Sequence, residues 1–317
     1  MYIEKLLNQS LSLTATPMFV ADRGMNVIWA NQAYLNLVCC SEQATIGKPP
    51  ASFECAIANQ TTYREITQQI NSGNAWIGEM RHATNNGRVL HTLTVITPVK
   101  EVDTLYFFVQ HQDITSQQSA LSKVWHAAHY DSLTSLPNRV LFNNLLEHSV
   151  QRARRALTQC AILFIDLDGF KPINDTYGHG MGDKFLSHIG KVLKETIRRS
   201  DAACRFGGDE FGVLLTEFNS VSDSALVATK ILAAINEPVV IDNIFIKCGA
   251  SIGIAVFPDN EQTSEKLLKA ADSAMYQAKA AGKNTIFSAM TGEYYNLPLE
   301  AQNITNQGHG EPVWLYA

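Results

Sequence analysis

Two short stretches place acids where acids are costly. In Ala161-Ile162-Leu163-Phe164-Ile165-Asp166-Leu167-Asp168, Asp166 sits inside a run apolar enough to be a buried central strand. In Arg205-Phe206-Gly207-Gly208-Asp209-Glu210-Phe211-Gly212, two more acids follow a Gly-Gly pair at once. Ala202, Ala203, Cys204 and Phe206 precede that pair and Val213, Leu214 and Leu215 follow it, the sequence form of a β-hairpin. Carboxylates beside buried strands are unfavourable unless positive charge meets them. A lone Gly-Gly pair reads as an exposed turn with incidental acids. Two strands that each deliver a carboxylate suit a pair of Mg²⁺ ions on a nucleoside triphosphate. Mg²⁺ takes oxygen ligands and keeps waters and phosphate oxygens beside one or two carboxylates. Such ions stabilise the attacking and leaving oxygens of an in-line phosphoryl displacement.

Gly207-Gly208-Asp209-Glu210-Phe211 resembles the signature of the GGDEF family, the diguanylate cyclases. Asp131-Ser132-Leu133-Thr134-Ser135-Leu136-Pro137-Asn138-Arg139 resembles that family too, as do Phe164-Ile165-Asp166-Leu167-Asp168-Gly169-Phe170-Lys171-Pro172-Ile173-Asn174-Asp175, Tyr177-Gly178-His179-Gly180-Met181-Gly182-Asp183 and Ala274-Met275-Tyr276-Gln277-Ala278-Lys279. The resemblance runs from about residue 131 to 287. It implies condensation of two GTP molecules into cyclic di-GMP with release of pyrophosphate. Each domain would hold one GTP, so a single domain has half an active site and a homodimer completes it.

Residue by residue, the resemblance makes Asp166 and Asp209 metal-binding carboxylates, joined by the carbonyl of Leu167; the ion would be Mg²⁺ or Mn²⁺. Glu210 either completes the metal shell or helps deprotonate the 3′-hydroxyl. Asn174 and Asp183 match the positions that read the guanine edge. An acceptor carboxylate facing the N1–H and amino donors of guanine rejects adenine, which favours GTP over mixed dinucleotides. Lys279 and Lys283 match basic phosphate ligands, and their spacing puts them on one face if the helix beginning near Thr263 extends that far. Phe170, Lys171, Gly207 and Gly208 join the substrate-binding positions, while Asp168 and Asp175 read as structural or loop-capping. Arg198-Arg199-Ser200-Asp201 ends a helix and falls where cyclases carry a product-inhibition site, with Arg198 and Asp201 as its ligands. Its plain alternative is an exposed helix end whose cations suit the dipole.

These groups need a frame. A chain of 317 residues suggests about two domains, and 46% hydrophobic with 17% charged residues is enough apolar matter for a real core. A net charge of -5 gives no electrostatic reason to expect nucleic acid or an acidic membrane. Cys39, Cys40, Cys55, Cys160, Cys204 and Cys248 lack metal-ligand spacing, and no run reaches the length of a membrane span. The expectation is a reduced, cytoplasmic protein.

Ile3, Leu6, Leu7 and Leu11 recur at helical spacing. A strand-turn-strand pattern follows, from Pro17 to Asn31 about Arg23-Gly24-Met25-Asn26. Helical sequence including Tyr63 to Ile70 leads to three more strands, Ala75 to Thr84, Val89 to Thr97 and Leu105 to Gln110, the first two joined at Asn85-Asn86-Gly87-Arg88. The order gives an antiparallel sheet cupping a few helices, and it resembles a PAS domain. Phe19-Val20-Ala21-Asp22, Ile28-Trp29-Ala30-Asn31, Ile46-Gly47-Lys48, Trp76-Ile77-Gly78-Glu79 and Asp113-Ile114-Thr115 carry that resemblance. A flavin-cysteine adduct is excluded, because the segment after Gly47 has no cysteine before Cys55. Haem finds no histidine between Thr61 and Ser72; His82, His91 and His111 sit on strands. Trp29 and Trp76 read first as core aromatics, with flavin stacking as the alternative. A core with no ligand is the third option.

The expected architecture is α+β: a PAS-like sensor at 1–113, a helical linker at 114–130, a catalytic domain of palm or ferredoxin-like type at 131–289, and a tail at 290–317 without an assigned role. In the linker, Ile114, Leu121 and Ala128 recur every seven residues with Gln117 and Val124 between, and Thr115 is placed to cap a helix to about Tyr130. Two heptads with a polar Gln among them are short of the sustained repeat of a coiled coil, and the alternative is a single amphipathic connector; a parallel pair of such helices would make a two-fold dimer. The rival from another class is a non-catalytic receptor for GTP or cyclic di-GMP, and intact hairpin acids and glycines speak against it.

Overall fold

The computed structural model describes residues 9–50, 60–84, 86–102, 104–218 and 221–296. The chain divides into two compact units between Val124 and Trp125. In the first, Met18–Ala21 (β1) and Val27–Ala30 (β2) are followed by helices Gln32–Val38 (α1), Glu42–Thr45 (α2) and Gln60–Asn71 (α3). Trp76–Ala83 (β3), Val89–Glu101 (β4) and Thr104–Asp113 (β5) complete an antiparallel sheet in the order β2-β1-β5-β4-β3. Alternation along each strand sends Phe19, Ala21, Met80, Ile96, Phe107 and Val109 into one core with Tyr34, Leu35 and Ile66 from the helices.

Asn31 holds the entry to α1. Its buried Oδ1 accepts from the amides of Tyr34 and Met18 at 2.9 and 3.1 Å. Trp76 is a core residue: a Cβ on Gly78 would lie 2.3 Å from its ring. His111 lies in the same core, stacked on Tyr34 at 5.6 Å and hydrogen-bonded to Thr94 at 2.8 Å. The amphipathic pattern at residues 1–8, as well as Cys55 and Asn85, lies outside the described residues; residues 9–13 are helical.

The linker is a helix, Thr115–His129 (α4), with one correction at its start. The Thr115 hydroxyl does not cap it; it accepts from the His91 amide at 2.9 Å. Asp113 supplies the acceptor instead, its Oδ1 taking the Thr115 amide at 2.8 Å. No residue of α4 is buried.

The second unit begins with Arg139–Ala156 (α5) and the strand Gln159–Asp168 (β6), then Phe170–Tyr177 (α6) and His179–Thr196 (α7). The hairpin Ala202–Gly207 (β7) and Glu210–Phe218 (β8) precedes Val221–Asn236 (α8). A small separate hairpin, Val239–Ile241 (β9) and Ile244–Ile246 (β10), leads to Gly249–Phe257 (β11), Ser264–Ala280 (α9), Ile286–Ser288 (β12) and Tyr294–Tyr295 (β13). The main sheet runs β13-β12-β11-β6-β8-β7. Central β6 is buried on both faces, as its unbroken apolar sequence requires. Ala161, Leu163, Ile165 and Leu167 face one core with α7 and α8; Ile162 and Phe164 face the other with α5 and α9.

Two further differences from sequence expectation are local. Arg198 and Asp201 lie in a turn beyond the end of α7 at Thr196, so they do not end the helix itself. The last segment read as tail begins inside the sheet, because β13 pairs antiparallel with β12. Trp314 and Leu315 lie outside the described residues. Burial pushes the thiol of Cys160 up to about 12 and raises those of Cys204 and Cys248 well above the ordinary thiol value, which leaves them as small apolar core residues. Among the described residues no helix is long and apolar enough to cross a membrane.

Candidate active site

Period-two alternation decides where the strand acids point. Asp166 shares a face with Ile162 and Phe164, the face that α9 covers. Leu267, Ala271, Ala274, Met275 and Ala278 form the buried stripe of that helix, and Lys279 follows directly. Its ammonium therefore arrives at the end of β6 and meets Asp166 Oδ2 at 2.8 Å. Burial pushes the Asp166 carboxyl above its ordinary range; the Lys279 hydrogen bond opposes that, and the charge of Asp209 adds to it. Burial alone would lower Lys279, but the hydrogen bond and charge of Asp166 outweigh it and raise the ammonium.

The second acidic element comes from the neighbouring strand. Asp166 and Glu210 are direct register partners across β6 and β8. Gly207 and Gly208 have φ values of 145° and 54°, conformations that only glycine adopts without strain, and they place Asp209 at the tip of the hairpin. The Leu167 amide donates to the Asp209 carbonyl at 3.3 Å, joining the two acidic segments through the backbone.

Sequence reasoning quoted Asp131, Thr134 and Arg205 but gave them no role. The Arg205 guanidinium donates to the Gly208 carbonyl from Nε at 3.0 Å and from Nη2 at 2.8 Å. Its Nη1 reaches both oxygens of Asp131, at 3.1 and 3.2 Å. Burial pushes the Asp131 carboxyl up, but Thr134 hydrogen bonds and Arg205 outweigh that and hold it below its ordinary value. The Arg205 amide also donates to the Pro137 carbonyl at 3.0 Å. One fork thus fixes the glycine turn to the loop that follows α4. The signal was present as an arginine two residues before the glycines, but its partner lies far off in sequence. Lysine cannot make this fork. Arg205→Lys is expected to lower turnover by about tenfold or more and to destabilise by a few kcal/mol, since one ammonium cannot serve both the Gly208 carbonyl and the Asp131 carboxylate. Turnover and melting temperature check this, and a variant equal to the parent in both would free the hairpin from the clamp.

The remaining residues named from sequence fall as follows. Gly169 precedes α6 with φ 80° and supplies no side-chain cap to that eight-residue helix. Phe170 is buried and lends its ring to the core; Lys171 is exposed. Asn174 packs against Gly182, where a Cβ would lie 1.9 Å from its Oδ1, and exposed Asp183 is the next residue. Lys279 and Lys283 do not share a helix face, because α9 stops at Ala280 and Lys283 follows in a left-handed turn. Asp168 is structural, as expected: it accepts from Ser251 Oγ at 2.9 Å and from the Asn284 amide at 2.8 Å. Asp201 accepts the Thr216 amide at 3.0 Å and the Arg198 amide at 3.4 Å, so its carboxylate closes the turn that carries Arg198.

The oxygen-donor set suits a hard cation. Asp166 carries the nearby charges of Asp209 and Asp168, and Lys279 is the cation paired with it. Among the described residues no three acidic or histidine side chains already close around a metal position.

Residues 128–285 match the family described as "Diguanylate cyclase, GGDEF domain", and residues 15–116 match the PAS domain family. The bifunctional diguanylate cyclase/cyclic di-GMP phosphodiesterase MucR of Pseudomonas aeruginosa is 42% identical over 170 residues, 54% of this chain and 25% of MucR. Diguanylate cyclase TpbB of the same organism is 42% identical over 161 residues, 50% of this chain and 37% of TpbB. The chain therefore spans well under half the length of these two relatives. The solved GGDEF domain of TpbB covers 51% of this chain and 94% of its own, at 41% identity and a TM-score of 0.50. Taken with the strand acids, the glycine hairpin and the antiparallel sheet of the first unit, these matches show that the chain belongs to the PAS-GGDEF diguanylate cyclase family.

Proposed function

We propose that this protein is a diguanylate cyclase that joins two GTP molecules into cyclic di-GMP and releases two pyrophosphates, with residues 131–289 as its catalytic domain. The observation that carries the reading is the meeting of Asp166, Lys279 and the Asp209-Glu210 hairpin at one end of the sheet. Asp166, Asp209, Glu210 and the Leu167 carbonyl would hold a divalent ion, Mg²⁺ or Mn²⁺. That ion would neutralise charge on the triphosphate as the 3′-hydroxyl of the other GTP attacks the α-phosphate. Lys279 and Lys283 bind the phosphates, with Lys171 in the first turn of α6 as a further cation. Asn174 and Asp183 read guanine from two adjoining helices, the carboxylate taking the donors that adenine lacks.

Each GTP is held by one protomer, so catalysis is positioning of two half-sites. Leu121 and Val124 are 64% and 67% exposed on a helix with no buried residue, an apolar edge that the same helix of a second copy would cover. Arg198 presents an exposed guanidinium on the turn closed by Asp201, which supports a product-inhibition site there. The PAS-like unit would regulate the cyclase; its ligand is open among a flavin, haem and none.

The test is incubation of the purified chain with GTP and Mg²⁺, followed by chromatography, with Asp209→Ala as control. The expected product is cyclic di-GMP from the parent alone, with a loss of at least about 10²-fold in the control. A parent chain stripped of bound nucleotide that still makes none, yet binds cyclic di-GMP, would replace the enzyme with a receptor.

A further inference from the structure

Helix α9 ends in three consecutive residues with positive φ: Gly282 at 116°, Lys283 at 64° and Asn284 at 47°. Glycine takes this region freely and asparagine tolerates it, so Lys283 is the residue for which the left-handed conformation is unfavourable. The holding contacts converge on Asn284. Its amide donates to Asp168 Oδ2 at 2.8 Å, at the carboxylate end of β6. Its side-chain Oδ1 accepts from Asn236 Nδ2, also at 2.8 Å, at the last residue of α8. The other Asn236 amide hydrogen goes to the Leu232 carbonyl at 2.8 Å, so Asn236 is itself fixed. Gly249 leaves the room needed: a Cβ there would lie 2.9 Å from Asn284 Oδ1. Asp168 is steadied in turn by Ser251 Oγ at 2.9 Å. Three elements of the fold thus fasten one residue, and Lys283 is the exposed residue before it.

We propose that Asn284 is the positioning residue for Lys283: anchored by Asp168 and Asn236, it fixes the left-handed turn from which the Lys283 ammonium reaches the triphosphate of bound GTP. This rests on the reading of Lys283 as a phosphate ligand. A flexible lysine is a poor ligand unless its backbone origin is fixed, because its side-chain freedom must be surrendered on binding. Fastening the turn to the strand that carries Asp166 keeps the phosphate cation and the metal-binding carboxylate in one frame.

The experiment is a double-mutant cycle in the full chain, using calorimetric binding of a non-hydrolysable GTP analogue with Mg²⁺. Asn284→Ala and Lys283→Ala are each expected to weaken binding by about tenfold, the scale of one lost charge-assisted contact. The double variant should bind no more weakly than Lys283→Ala alone, because Asn284 acts only through Lys283. Asn284→Gly, which keeps the left-handed conformation but loses the bond to Asn236, should fall with Asn284→Ala. A merely structural Asn284 would lower the melting temperature and leave the affinities independent. Additive losses, or Asn284→Ala binding equal to the parent, overturn the inference. A parent chain that binds no analogue overturns the nucleotide reading first and this inference with it.

Discussion

An Asp166→Asn variant is expected to lose catalysis by about 10²–10³-fold or more, the loss typical of removing one group that stabilises developing charge, and yet to melt no lower than the parent. The two halves of that expectation come from one fact. Asp166 is 7% exposed, and burial raises its carboxyl; the Lys279 hydrogen bond pulls the other way, while Asp209 and Asp168 push it up again. A raised value in the folded chain means that the folded state holds the proton more tightly than the unfolded one. The stability this contributes is fully present below the ordinary value of 3.8 and is lost as pH rises through the raised one. At neutral pH the ionised carboxylate weighs on the fold, and an amide of the same shape does not. Lys279 is 33% exposed, so it can turn to water and is not stranded as a buried charge. Product analysis and melts near pH 4 and pH 8 check both halves, with the variant gaining on the parent at the higher pH. Retention of a tenth of parental turnover would remove Asp166 from the catalytic set.

Asp166 and Lys279 also explain why the site is acidic where acid is unfavourable. A cation must be present for the strand end to tolerate its charge, and the lysine fills that need in the protein alone. A cyclase would shift part of that burden to its divalent ion and leave Lys279 for phosphate. On the proposed reading the pair trades stability for function, held in place by the same helix that covers the sheet.

Much of this was legible in sequence because it rests on local pattern. An apolar run with an embedded acid gave the central strand, and glycines between two apolar runs gave the hairpin. Alternation in the first unit gave five strands in their chain order, two before the helices and three after them. The losses have physical causes. The Arg205–Asp131 clamp joins residues 74 apart, and neither residue type announces its partner. The shared face of Lys279 and Lys283 required α9 to run past Ala280, and it stops there, with Gly282 just beyond in a positive-φ conformation of the kind that commonly ends a helix. Thr115 looked like a cap, but its hydroxyl found a strand backbone while Asp113 took the helix amide. Strand β13 is two residues long, too short for any periodicity to register.

Gly253→Ala is expected to lower the melting temperature of the second unit by on the order of 10 °C, about 3 kcal/mol in a domain of this size. A Cβ there would lie 2.1 Å from both the Ala271 carbonyl oxygen and the Met275 amide nitrogen, and 2.7 Å from the Ala274 carbonyl carbon. These are backbone atoms of α9, so no rotamer change relieves the clash; the helix itself must lift from β11. Gly253 is paired with Phe164 on β6 and Phe287 on β12, so the strand cannot retreat without losing its ladders on both sides. Lys279 is carried by the same helix, so lifting α9 displaces the backbone from which its ammonium meets Asp166 at 2.8 Å. The variant should therefore bind GTP more weakly even at temperatures where it remains folded. Gly180→Ala is the control, since a Cβ on that helical glycine meets nothing within 4 Å and should leave stability equal or slightly raised. If Gly253→Ala melts within a degree or two of the parent while Gly180→Ala does the same, close backbone packing of α9 is not what seats the lysine, and the ion pair with Asp166 must be holding the helix end instead.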